Sequence, residues 1–330
     1  MKAVRFDGPG AVSLVDVSSR DLAPTEVALA IDRVGVCATD LHIFHGTFPT
    51  AVYPLTPGHE ATGVVARVGD AITDLAPGTR VVLDPGMPCH RCRYCRRGRL
   101  NLCARRRAFG VTDDGAATAE LVVPAANCFA VADSTPAAAA VLGEPLACVV
   151  HAFDLVAPPA GHSVLVYGAG TVGLMAALVA RTLGAASISV VDLNSGRLEQ
   201  ARAVGADGAS TDAAALSEQR FDLVVDATGA APAIADGLTR VDRGGHFLQI
   251  GVARPDATVA VAPYELFARE MTIAGSMTTS RSFPRAVALL DAGAIAPDIF
   301  TAQPYSLDRY SEAMLAAERG DTAKVTIQPH

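Results

Sequence analysis

An α/β protein of two folded units is what the sequence predicts: a mostly antiparallel β unit first, then a doubly wound parallel-sheet unit. Three observations carry this expectation. At 330 residues the chain exceeds what one typical core serves. Residues 1–147 alternate short β-rich runs with Pro, Gly and Asp. From about His151 the texture becomes strand, glycine turn and helix in repeated order, the pattern of a parallel sheet covered by helices.

In the first unit, segments 26–31, 63–68, 80–83 and 120–123 read as strands, and the alanine run 137–140 as a turn of helix. In the second, strand 163–167, helix 172–183, strand 187–191 and helix 196–204 form a βαβα series, which apolar strands at 223–226 and 245–250 extend. Beyond about Ser280, a helix at 283–292 with Pro284 in its first turn and an amphipathic helix near 307–319 are expected to return the chain to the first unit. The expected division is 1–147 with 281–330 against 148–280.

Composition narrows the function. A net charge of −7 opposes general binding to nucleic acid or anionic membranes. No apolar run reaches the ~20 residues needed to cross a bilayer. Asp7-Gly8-Pro9 interrupts the N-terminus before a signal-peptide core could form, so a cytoplasmic location is expected. Seven cysteines is an odd number, and a reducing compartment disfavours disulfides, which makes their spacing more informative than their count.

The segment after strand 163–167 is Gly168-Ala169-Gly170-Thr171-Val172-Gly173, a G-x-G-x-x-G turn opening an alanine-rich helix. Alone the triple glycine is weak; between a strand and a helix it reads as a dinucleotide seat. Gly168 permits the tight turn, Gly170 lets backbone approach a pyrophosphate, and Gly173 allows close helix packing, with Thr171 and Val172 in the first turn facing the phosphates. Asp192, 19 residues after Gly173 at the end of the next strand, can accept hydrogen bonds from ribose hydroxyls. This favours NAD over NADP, although Arg197 could offer a counter-charge to a 2′-phosphate.

Cys89, Cys92, Cys95 and Cys103 are spaced C-x2-C-x2-C-x7-C, suited to a closed tetrahedral zinc shell in a lobe spanning 89–103. An iron–sulfur cluster is the competing occupant. The same segment carries eight arginines between Arg91 and Arg107. These offset the negative charge of a four-thiolate zinc site more economically than they make a nucleic-acid patch. A second set, Cys37 followed by His59 and Glu60, is dispersed, and each member alone is ordinary for a core.

Together the G-V-C-A-T-D-L-H stretch at 35–42, the G-H-E-A-T-G-V-V stretch at 58–65, the cysteine lobe, Gly143-Glu144-Pro145-Leu146 and the glycine fingerprint resemble the zinc-containing medium-chain alcohol dehydrogenase family, in its sorbitol, arabinitol and threonine dehydrogenase-like branch. The resemblance spans nearly the whole chain. It implies a GroES-like catalytic domain and a Rossmann domain. It implies two zinc ions per chain: a catalytic one on Cys37, His59, Glu60 and Glu144, with Cys148 the alternative donor, and a structural one on the four lobe cysteines. Asp40 resembles the carboxylate that orients the zinc histidine, and Thr39 with His42 resembles the family's proton relay. Thr228, Ile250, Gly251 and Ser276 fall where the family contacts the dinucleotide. In one respect the chain departs from the family pattern, with His90 where Gly is common after the first lobe cysteine.

The implied activity is reversible oxidation of a secondary alcohol, a polyol by preference, to a ketone, with zinc as Lewis acid and hydride passing to NAD. Threonine, a butanediol or a cyclitol is the alternative substrate, and a non-catalytic zinc-stapled NAD-binding protein the alternative class. Phe44, Phe48 and Tyr53 suit a pocket wall or the core equally. A homodimer or homotetramer is implied as well.

Overall fold

The computed structural model describes residues 1–216, 219–320 and 322–330. The chain divides into two compact units, Met1–Ala147 with Thr279–His330, and Cys148–Thr278.

The first unit is built on the strand Glu26–Val36, whose run Val27, Leu29, Ile31, Val34 and Val36 is rich in β-branched residues and buried. It pairs antiparallel with Glu60–Val68 and with Val325–Gln328, while Glu120–Pro124 pairs along its first half. Arg80–Leu83 and Cys128–Ala130 extend the sheet beyond Glu60–Val68. In the register of these strands Gly35 lies opposite Glu60 on one side and Thr326 on the other, and Val36 lies opposite Val325. Cys37, Glu60 and Lys324 therefore emerge at one end of three adjacent strands. Phe6, Leu29, Ile31, Ile43, Leu55 and Ile327 fill the core behind them. Phe44, Phe48 and Tyr53 pack against that core, and the Tyr53 hydroxyl donates to the Ile43 carbonyl. The tail contributes the helices Phe283–Asp291 and Tyr310–Arg319 as well as the last strand.

The second unit is a six-stranded, wholly parallel sheet in the order Gly208–Ser210, Ser187–Val191, Ser163–Tyr167, Phe221–Asp226, Val241–Gln249, Thr272–Gly275. In chain order this is 3-2-1-4-5-6, so the winding reverses between the first and fourth strands. The inner strands are near-continuous apolar runs, with Val164, Leu165, Val166, Leu223, Val224 and Val225 fully buried. That is the composition a parallel sheet covered on both faces demands. No helix among the described residues is long and apolar enough to cross a membrane.

Candidate active site and metal centres

Cys37 leaves the strand Glu26–Val36 and becomes the N-cap of the short helix Ala38–Phe44. Its backbone N–H donates to Asp40 Oδ2 at 2.8 Å, which closes a capping box and fixes the direction of the turn. Asp40 is fully buried, and its other oxygen lies 3.4 Å from His59 Nδ1. Turning Nδ1 to a carboxylate leaves Nε2 as the outward donor. Burial pulls the His59 imidazole down, yet Asp40 and then Cys37 hold it well above the ordinary histidine range.

The donor atoms of Cys37, His59 and Glu60 all lie within 4.8 Å of one another. Glu144 is buried in the first turn of the helix Gly143–Val156, outside that triad, and its charge reaches Lys324. A thiol, an imidazole and a carboxylate whose donor atoms converge, the histidine and the glutamate buried, fit a zinc ion with a position to spare. Thr39 and His42 lie three residues apart on the same short helix, hence on one face. His42 is exposed, with Nδ1 3.1 Å from Thr47 Oγ1.

Sequence reasoning missed one residue of this site. Lys324, 4% exposed, sets its Nζ 2.8 Å from Glu60 Oε1 and 2.6 Å from Oε2. Burial opposes its charge, but Glu60, Cys37 and Glu144 hold it protonated. The available signal was compositional: the chain has 25 arginines and two lysines.

In the lobe, the four sulfurs of Cys89, Cys92, Cys95 and Cys103 also fall within 4.8 Å of one another. Cys92 Sγ is 3.5 Å from Cys95 Sγ and 4.0 Å from Cys103 Sγ, and the N–H groups of Cys89 and Arg105 point at Cys103 Sγ at 3.2 and 3.3 Å. Backbone N–H donors from Cys95 and Ala104 bring the Cys92 thiol down to about 6, while burial pushes Cys95 up to about 12. Four converging sulfurs met by backbone donors suit a tetrathiolate metal.

In the second unit the fingerprint lies at the carboxyl end of Ser163–Tyr167, with Gly170 as N-cap of the helix Thr171–Thr182. A Cβ on Gly173 would collide with the Gly168 carbonyl, so only glycine allows the helix to start so close to the turn. A Cβ on Gly170 would meet nothing within 4 Å, which leaves open space over the helix N-terminus. Asp192 ends the neighbouring strand, its Oδ2 accepting from Ala169 N at 2.6 Å and its Oδ1 from Asn194 N at 2.7 Å. Arg197 Nη1 is 3.7 Å from the same carboxylate.

Across the reversal of winding, buried Asp226 organises the other wall. Its carboxylate accepts from Thr228 Oγ1 at 2.5 Å, Gly229 N at 2.8 Å and Gln249 Nε2 at 2.5 Å, and its carbonyl accepts from Ile250 N and Gly251 N. Ser276 N donates to the Gln249 carbonyl. Thr228, Ile250, Gly251 and Ser276 thus line the carboxyl ends of adjacent strands, beside Gly168.

The alcohol dehydrogenase GroES-like domain family matches residues 23–133, and the zinc-binding dehydrogenase family matches 171–292. D-altritol 5-dehydrogenase of Agrobacterium fabrum is 37% identical over 300 residues, 88% of each chain. D-arabinitol dehydrogenase 1 of Uromyces fabae is 32% identical, covering all of this chain and 97% of its own. The chain belongs to the zinc-containing medium-chain alcohol dehydrogenases. It is an oxidoreductase acting on CH–OH groups, with a GroES-like and a Rossmann domain. Among solved structures, a zinc-binding dehydrogenase of Sinorhizobium meliloti 1021 bound to NADP matches at a TM-score of 0.95 and 29% identity over 99% of both chains. A dehydrogenase of E. coli CFT073 in complex with NADH matches at 0.93 and 25% identity, covering 100% of this chain and 99% of its own.

Proposed function

We propose that this dehydrogenase reversibly oxidises a polyol at a secondary hydroxyl, with NAD as hydride acceptor. The observation that carries the reading is the convergence of Cys37 with buried His59 and Glu60, in which a carboxylate stands among the donors. The relatives named for altritol and arabinitol, matched over 88% and 97% of their own length, support the substrate class.

Cys37 and His59 would hold the catalytic zinc, with Glu60 as a direct ligand or one that exchanges with substrate and Glu144 at or near the fourth position, and the four lobe cysteines would hold the structural zinc. When bound, the catalytic zinc supplies Lewis acidity that makes the substrate hydroxyl a better proton donor. Asp40 holds His59 in the tautomer and direction required. Thr39 takes the hydroxyl proton toward His42, whose exposed ring exchanges it with solvent. Gly168, Gly170, Thr171, Val172 and Gly173 seat the pyrophosphate, and Asp192 binds the adenosine ribose.

The preference for NAD rests on Asp192, whose carboxylate would repel a 2′-phosphate. The reading for NADP rests on Arg197 and on the relative that binds NADP. A homo-oligomer is proposed as well. The outer edge of Thr272–Gly275 lacks a partner strand among the described residues, and beside it Phe267 and Tyr264 are 80% and 74% exposed.

The test is reduced-cofactor formation by the zinc-loaded protein on polyols, diols, threonine and cyclitols, with NAD and NADP in parallel. Turnover of a vicinal polyol at least tenfold faster with NAD is expected. Failure on every polyol by a protein holding both zinc ions would sink the substrate class, and a preference for NADP would sink the role of Asp192.

A further inference from the structure

Positive charge is concentrated in one short segment of the first unit. Residues 85–112 hold eight of the 27 basic residues and none of the 34 carboxylates, so a chain of net negative charge carries one strongly cationic lobe. A zinc ion on four thiolates bears two negative charges, and its offset uses at most two of the eight arginines. In the structure Cys103 Sγ is met by the backbone N–H groups of Cys89 and Arg105. Three guanidiniums have partners of their own: Arg93 donates to the Tyr94 hydroxyl, Arg107 pairs with Asp113, and Arg106 acts on Asp84. Arg91, Arg96, Arg97, Arg99 and Arg105 are exposed and pair with no carboxylate among the described residues. The fold adds a sixth from the tail. Arg281, also exposed, brings Nη2 within 3.2 Å of the point where a Cβ on Gly98 would lie.

We infer that this arginine surface binds single-stranded nucleic acid, whose phosphates run across the lobe at a site separate from the alcohol-oxidising one. The convergence of the four sulfurs gathers the arginine-bearing turns, and guanidiniums so gathered repel one another until a partner supplies several negative charges together. Their planar forks take phosphate oxygens in pairs and stack on bases. Tyr94 stands among them with the Arg93 guanidinium 4.6 Å from its ring centroid. A duplex fits less well, because the helix in the lobe, Arg93–Arg96, is only four residues long and a major groove is filled by a longer element. A lipid surface fits less well too, since no large apolar side chain of the lobe is exposed for insertion.

The test is fluorescence anisotropy of a labelled oligouridylate of about 20 nucleotides with the full-length, zinc-loaded protein, between about 50 and 200 mM salt. Duplex DNA of equal length and polyglutamate are run beside it. Six phosphate contacts give a slope of log affinity against log salt of about −4, a loss of about 300-fold over that range. The triple variant Arg96→Gln, Arg97→Gln, Arg99→Gln removes half of the contacts. Its slope is expected near about −2, with affinity at the lower salt reduced by about a hundredfold or more. Its zinc content and alcohol oxidation, which these side chains do not serve, should stay at the wild-type level. If the triple variant loses lobe zinc, Arg281→Gln replaces it from outside the cysteine segment and should lower the slope by about 0.7. Arg254→Gln, which removes a cation of the second unit from its pair with Asp256, should leave binding unchanged. No binding at the lower salt, a slope shallower than about −1, an unaffected lobe variant, or an equal loss in Arg254→Gln would overturn the site. Polyglutamate or duplex bound as tightly as oligouridylate would overturn the single-stranded assignment.

Discussion

His90 sits at a backbone φ of +54° immediately after the first lobe cysteine. In that left-handed region glycine is at ease and a residue with a Cβ is strained by about 1 kcal/mol. The conformation serves the lobe, because it turns the His90 N–H toward Cys95. His90→Gly relieves the strain but frees the unfolded chain. The net expectation is a gain of about 0.5 kcal/mol, read as a small rise in Tm with slower release of lobe zinc to a chelator. Nearby, burial raises the Asp84 carboxyl to about 6 against the opposing pull of Gly86 N–H and Arg106. A carboxylic acid raised on folding stabilises the fold fully only below its ordinary range, and that contribution is lost as pH rises through about 6. Asp84→Asn keeps the acceptor for Gly86 N and removes the charge. Denaturation at pH 8 should show the variant about 1–2 kcal/mol more stable, the figure being discounted for partial exposure, with the gap narrowing toward pH 5.

Among the elements, those with strong hydrophobic patterning were legible in the sequence. Ser163–Tyr167, Ser187–Val191 and Thr171–Thr182 stand within a residue of expectation. The fingerprint and the cysteine lobe were legible because each is a short run whose geometry is local. Gly208–Ser210 and Thr272–Gly275 escaped because they are short edge strands of small residues with no apolar run to mark them. The helix Gly143–Val156 escaped because Pro145 and adjacent valines read against it, although proline in a first turn is compatible with a helix. Lys324 could not be tied to Glu60 because 264 residues separate them and only the sheet register brings them together. The edge at Thr272–Gly275 carries its own prediction. Ile273→Lys with Phe267→Glu places charge on the exposed edge and the adjoining helix, a device that blocks strand pairing between copies. Light scattering should report a monomer for the double variant and a dimer or larger for the parent; an unchanged mass would move the interface elsewhere.

Over the whole molecule, the two cysteine-bearing centres are proposed to do different work, for physical reasons. Among the described residues the lobe gathers four sulfurs and no further donor, so a metal held there would be closed off and would contribute to folding. The triad of Cys37, His59 and Glu60 rests on a sheet whose core is complete without it, as the buried run Leu29, Ile31, Val34 and Ile327 attests. A metal held there would add reactivity more than cohesion. The two ions should therefore be separable by mutation. Cys37→Ser is expected to lower the zinc content from about two per chain to about one, abolish alcohol oxidation at least a thousandfold, and leave the Tm within a few degrees. Cys95→Ser is expected to lower the zinc content by the same amount while dropping the Tm by at least 5–10 °C, since it opens a site whose binding energy is folding energy. Metal analysis and calorimetry on the two variants decide the assignment. An exchange of the two phenotypes would mean that the triad, and not the lobe, is the structural centre.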